Sequence, residues 1–173
     1  GAIQHIGSPK SIYQRPANTF VAAFIGRSNL LEGELVMKGD MPYVRFEQYE
    51  APVPAVASEF RKPQKVVISA RPEELSISRE DNGGFKATII SSIFLGLNTH
   101  YFMRLENGMQ MESVHESTLD SIIKPGTKVS VTFNTDKINL FTADGSTNIL
   151  TGVQNDAQPS AVSRAGGKRL AVG

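Results

Sequence analysis

The stretch Tyr101-Phe102-Met103-Arg104-Leu105-Glu106-Asn107-Gly108-Met109-Gln110-Met111-Glu112-Ser113-Val114 holds two runs of alternating character around an Asn-Gly pair. Successive side chains of a strand point to opposite faces, so Tyr101, Met103 and Leu105 share one side of an extended chain. Asn-Gly between two such runs is the strongest short hairpin signal, and a type I′ turn is expected because both central residues can take positive φ. Towards the C-terminus, Pro125-Gly126 precedes Val129, Val131 and Phe133, and Thr135-Asp136 leads to Ile138 and Leu140. Towards the N-terminus, the turn cluster Asp81-Asn82-Gly83-Gly84 opens a strand that starts with Phe85, Ala87 and Ile89 and ends near Leu95-Gly96. Val66, Ile68 and Ala70 alternate with Val67 and Ser69, and Leu75 and Ile77 form a short strand after Pro72. Leu31, Gly33, Leu35 and Met37 continue the pattern back to Asn29, with Gly39-Asp40 turning into Tyr43–Phe46. Nine or ten short strands at regular spacing without interposed helices predict a mainly β chain built as small antiparallel barrels. One helical turn is expected near Ser117–Ile123.

The two ends have a different character. Ser8-Pro9 is an N-cap followed by the residue best tolerated at the first helical position, and Pro16 stops that turn. Asn18 then precedes a second short helix in which Phe20, Val21, Phe24 and Ile25 form one apolar stripe before Gly26. So short a helix does not persist alone in water, so the stripe is expected to dock on the barrels or on a second copy of the chain. Residues 1–27 are thus read as a helical opening, 28–146 as the β body and 147–173 as a flexible tail of small, polar and scattered basic residues.

Composition narrows the chemistry. Forty per cent hydrophobic and twenty per cent charged residues describe a globular domain. No apolar run approaches the ~18–20 residues of a membrane-spanning helix, and the opening residues lack a secretory pattern. There are no cysteines, which excludes disulfides and thiolate chemistry. Charge is uneven. Residues 1–27 carry three cations and no acid, residues 154–173 three cations and one acid, and residues 28–153 twelve basic against sixteen acidic side chains. A net acidic body has the wrong sign for a phosphate backbone, so no nucleic-acid partner is expected. Among the aromatic candidates for base stacking, Phe85, Phe94, Tyr101 and Phe102, the first and third fall on the inward alternation, where core packing is the plainer reading. No G-x-x-x-x-G-K-[ST], G-x-G-x-x-G or G-x-S-x-G motif occurs. His5, His100 and His115 lack the spacing of a helical metal site, and Glu73-Glu74 point to opposite faces of a strand, so no catalytic, metal or cofactor residue is assigned.

One segment stands out. In Val66-Val67-Ile68-Ser69-Ala70-Arg71-Pro72-Glu73-Glu74-Leu75 a buried-strand pattern breaks at Arg-Pro-Glu, because proline removes a ladder donor. Arg71 and Glu73 straddle the break. They read equally as a local ion pair tidying a β-corner and as a docking point for another domain.

Several stretches resemble one family. Gln4 and Ile6-Gly7-Ser8-Pro9 through Tyr13-Gln14-Arg15-Pro16, Phe20-Val21-Ala22 and Phe24-Ile25-Gly26 are similar to the closing stretch of the nucleotide-binding domain of ABC importer ATPases. Asn29 onward resembles the entry to the appended regulatory domain, Ala70-Arg71-Pro72-Glu73 its Arg-Pro-Glu signature, and Phe94-Leu95-Gly96 with Tyr101 the TOBE module, a transport-associated oligonucleotide-binding-like (OB-like) fold. The resemblance implies two OB-like barrels with interleaved strands, working as the C-terminal regulatory and dimerisation domain of the ATPase subunit of a small-solute importer (polyamine, iron, phosphonate or sugar). It implies a cytoplasmic location on the inner membrane face, with permease subunits and a second copy as partners. ATP and Mg would belong to the nucleotide-binding domain, whose motifs are absent here, so no enzyme activity is expected of this chain. Arg71, Pro72, Glu73, Phe20 and Phe24 are the candidate interdomain or dimer contacts. The alternative is an oxyanion-sensing module of the same transporter class, with Ser91, Ser92, Asn98 and Thr99 as candidate ligand contacts, since such sites want clustered hydroxyls and backbone N–H groups.

Overall fold

A computed structural model describes residues 17–18, 28–117 and 122–152, in which ten strands follow one another: β1 (Asn29–Lys38), β2 (Met41–Phe46), β3 (Tyr49–Pro52), β4 (Gln64–Ala70), β5 (Leu75–Ser78), β6 (Phe85–Leu95), β7 (Asn98–Leu105), β8 (Gln110–Glu116), β9 (Lys128–Phe133) and β10 (Asn139–Thr142). They form two five-stranded antiparallel sheets, ordered β10-β4-β1-β2-β3 and β5-β9-β6-β7-β8. The chain leaves the first sheet after β4, builds the second, and returns through β10 to pair with β4. This is the interleaved, mainly β architecture the alternation and the resemblance predict.

The two sheets share one core. Phe46 of β2 and Tyr49 of β3 meet Phe85 of β6 and Phe133 of β9, with centroid separations of 4.9 Å for Phe46–Phe85 and 5.2 Å for Phe85–Phe133. The Tyr49 hydroxyl also accepts the Phe133 backbone N–H at 3.3 Å. Edge-to-face rings at these distances add about 0.5–1.5 kcal/mol per pair beyond the area they bury. Leu31, Leu35, Ile68, Ile89, Met103, Ile138 and Leu140, all fully buried, complete the same cluster.

Three expectations need correction. Turn chemistry between β7 and β8 is the first. Only Gly108 has positive φ there, and its N–H reaches the Leu105 carbonyl at 2.9 Å. That is a type I turn followed by a left-handed glycine, not type I′, and the extra residue is absorbed beside Met109. Strand β3 and the 3-10 turns Ser58–Phe60 and Pro72–Glu74 are additions to the expected elements. The boundary at 147 is too early, since Asn148, Ile149 and Leu150 are buried and hydrogen-bonded into the first sheet. The helical opening falls outside the described residues apart from Ala17 and Asn18, as do residues 118–121 of the expected turn near Ser117–Ile123.

Candidate interaction surface and cleft

The Arg-Pro-Glu corner is built inward. Arg71 caps the 3-10 turn Pro72–Glu74, with Pro72 at a position that needs no N–H. The Arg71 N–H donates to Glu74 Oε1 at 2.9 Å, and its guanidinium Nη1 donates to Glu74 Oε2 at 3.2 Å. Arg71, Pro72 and Glu74 are buried, and of the trio Arg71, Pro72 and Glu73 only Glu73 lies at the surface. The corner thus holds a buried local ion pair between Arg71 and Glu74. Burial raises the Glu74 carboxyl above its ordinary range, opposed by the Arg71 N–H and charge. Phe20 and Phe24 lie outside the described residues. The Ala17 carbonyl accepts the Asn148 N–H at 2.9 Å, which ties this part of the opening to the end of the body.

A clasp joins the sheets where the chain enters β1. Asn29 Nδ2 donates to the Ala70 carbonyl at 3.1 Å and to the Glu112 carbonyl at 3.0 Å, and Asn29 Oδ1 accepts the Glu112 N–H at 3.1 Å. The Glu112 carboxylate in turn meets His100 Nδ1 at 2.7 Å.

Between β5, β7 and β8 lies a cleft of about 280 Å³, lined by Ser76, Arg79, Thr99, Tyr101, His115 and Glu116 with Ile77 and Ile123. Thr99 and His115 are cross-strand partners, which places both side chains on one face. The Thr99 and Ser117 hydroxyls are 2.6 Å apart, Tyr101 accepts the Ile123 N–H at 3.1 Å, and Ser113 Oγ pairs with His115 Nε2. Burial lowers the His115 pKa below the ordinary histidine value, so the ring is neutral at pH 7. Of the four proposed ligand contacts the structure brings only Thr99 to this cleft. Ser91 and Asn98 are exposed, and Ser92 shares the Thr99 face without lining the cleft. Arg79 and His115 were not identifiable in advance, because the cleft joins strands distant in sequence.

The end of the β6–β7 hairpin carries the most conspicuous surface. Ile90, Ile93, Phe94, Leu95 and Leu97 are exposed, from 36% at Ile90 to 84% at Leu97. In the sequence the only sign is that Ile93-Phe94-Leu95 interrupts the alternation, leaving apolar groups on both faces of the strand.

Comparison with known proteins places this architecture. The profile of the TOBE domain matches residues 68–141, from within β4 to within β10. The match thus holds all of the second sheet and parts of β4 and β10, the two strands of the first that flank it. The chain is 52% identical over 158 residues to the Fe(3+) ions import ATP-binding protein FbpC of Fusobacterium nucleatum, covering 91% of this chain and 42% of that protein. It is 32% identical over 153 residues to the spermidine/putrescine import ATP-binding protein PotA of Thermotoga maritima, covering 79% of this chain and 40% of that protein. The chain spans about two-fifths of the length of these relatives. Among solved structures, the molybdate-bound form of the cytoplasmic molybdate-binding protein ModG superposes with a TM-score of 0.50 over 66% of this chain and 95% of that one, at 15% identity, a likeness of fold alone. No helix among the described residues is long and apolar enough to cross a membrane.

Proposed function

We propose that this chain is the regulatory and dimerisation module of the ATP-binding subunit of an ABC-type importer, with iron or a polyamine as the class of cargo. One observation carries the reading: identity to an importer ATP-binding protein runs over 91% of the chain, far beyond the 74 residues of the TOBE match. The bond between Ala17 and Asn148 supports it, because it fixes the TOBE body to the segment that resembles the end of a nucleotide-binding domain. In this reading ATP hydrolysis with Mg²⁺ belongs to the rest of the parent subunit. The module sits at the inner face of the membrane through the permease subunits, pairs with a second copy, and performs no chemistry itself. Exchange of the matching part of the Fusobacterium protein for this chain, followed by ATP-dependent iron uptake in cells lacking that subunit, tests it. Uptake is expected to be sustained. Loss of uptake by a subunit that still accumulates and binds ATP would refute the assignment.

A second reading rests on the cleft. Arg79, the Ser76, Thr99 and Tyr101 hydroxyls and His115 converge there as a small oxyanion would require, while Glu116 opposes an anion. Calorimetry with molybdate, tungstate and sulfate decides it: heat that disappears in Arg79→Ala supports sensing, and silence with all three ends it.

A further inference from the structure

We propose that the outer half of β6 is the dimer contact, two copies joining antiparallel along this edge about a two-fold axis at Ile93; the inference rests on the homodimeric reading above and names its surface. The inner half of β6, Phe85–Thr88, pairs with β9 on one side, and from Ala87 onward the strand pairs with β7 on the other. The last links to the segment before β9 are at Ile89, whose N–H reaches Thr127 O and whose carbonyl accepts the Gly126 N–H. From Ser91 to Leu95 the strand is paired on one side only, with β7, among the described residues. An irregularity at Ile90 and the two-residue turn Gly96-Leu97, with φ +64° at Gly96, bound this free segment. Its middle residue is Ile93.

Alternation fixes which groups are free. In a two-residue hairpin the closing pair, here Leu95 and Asn98, exchanges both hydrogen bonds. The backbone amides and carbonyls of Ser92 and Phe94 therefore point away from β7. An antiparallel copy centred on Ile93 sets Ser92 opposite Phe94 of the other chain, twice, with every pair able to exchange two N–H···O bonds. Ile93 meets its own counterpart as the close, non-hydrogen-bonded pair. A two-fold axis demands such self-complementarity.

The occupant proposed is a second copy, which the charge of this edge admits. Ile89 to Thr99 contains no Asp, Glu, Lys or Arg, so two copies of this edge meet without like-charge repulsion. Nor does it contain proline or inward lysine, the usual devices that keep a bare edge single. Apolar Ile93 and Leu95 on one face and Phe94 on the other would be covered by the same contact. A contiguous group of exposed apolar side chains of this kind marks an interaction site.

Because the chain has no cysteine, Ile93→Cys introduces the only thiol. Opposed Cβ atoms in a close pair lie about 4.5–5.5 Å apart, near disulfide geometry. Light scattering should show a dimer. Mild oxidation of Ile93→Cys should give a cross-linked dimer, whereas Glu59→Cys, in the exposed 3-10 turn Ser58–Phe60 away from β6, should not. Phe94→Asp places a carboxylate on each side of the axis and should weaken the dimer about 100-fold, with circular dichroism and the melting temperature reporting that the fold is retained. A dimer that neither cross-links at position 93 nor responds to Phe94→Asp overturns the β6 edge and leaves the homodimeric reading standing. A monomer at all concentrations overturns both the edge and the pairing, while iron uptake by the exchanged subunit still judges the importer assignment independently. Protection of the hairpin only on addition of a nucleotide-binding domain would also overturn it, since the occupant would then be another part of the parent subunit.

Discussion

Arg71 and Glu74 show why a buried charge pair is costly to break rather than a large source of stability. Both groups have left water, and the Arg71 N–H and guanidinium recover only part of that loss for the Glu74 carboxylate. Removing the cation strands the acid. Arg71→Met is expected to cost about 3–5 kcal/mol in urea denaturation at pH 7, and Arg71→Met with Glu74→Gln to recover much of it. The pH dependence has a definite sign. The folded Glu74 carboxyl lies above its ordinary 4.5, so the folded state holds that proton more tightly than the unfolded chain. Its contribution is complete below pH 4.5 and fades as pH rises through the raised value. Arg71→Met should steepen this loss and the double variant should flatten it; parallel stability–pH curves for the two would contradict the coupling.

At the scale of elements, the β2–β3 turn shows backbone strain used to aim side chains. Glu47 holds φ at +56°, a region that costs a residue with a Cβ about 1–2 kcal/mol. The tight reversal sets Phe46 and Tyr49 on the same side, where they meet Phe85 and Phe133. Glu47→Gly removes the steric cost while loosening the unfolded chain, and a net gain of about 1 kcal/mol is expected in chemical denaturation. A loss would mean that the side-chain contact with Asn107 matters more than the strain. This turn marks where the sequence stopped being legible. Alternation located nearly every strand and the interleaving followed from resemblance, because burial on one face writes itself into every second residue. Tyr49–Pro52 alternates in burial but is only four residues long, and Glu-Gln is not turn chemistry, so β3 left no readable trace. Glu74 as a partner of Arg71 escaped the reading for a related reason. A 3-10 turn brings residue i+3 back to residue i, a spacing invisible to period-two reading. The cleft of Arg79 and His115 and the bare edge of β6 depend on which strands are neighbours, which local sequence does not encode.

The two sheets are expected to unfold as one cooperative unit, because the first sheet takes its last strand from beyond the second. Strand β10 returns to β4 after the second sheet is complete, and the segment following it seals the core. The Ile149 N–H donates to Leu140 O at 2.9 Å and its carbonyl accepts the Ala57 N–H at 2.8 Å, while Ile149 and Leu150 are buried to within 3%. Val56 pairs with Leu150 and Phe141 with Asn148 as isolated bridges. Burying each of two such side chains contributes about 1.5–3 kcal/mol, a large share of the 5–15 kcal/mol of a typical domain. Chains ending after Gly152 and after Thr147 should therefore differ in unfolding free energy by about 3–6 kcal/mol, read from urea midpoints at equal slope. The shorter chain should also unfold in one transition by both tyrosine fluorescence and circular dichroism, since the quartet Phe46, Tyr49, Phe85 and Phe133 belongs to both sheets and cannot be half lost. Two separated transitions, or a difference under about 1 kcal/mol, would show that the sheets stand alone and that the returning strand only closes the surface.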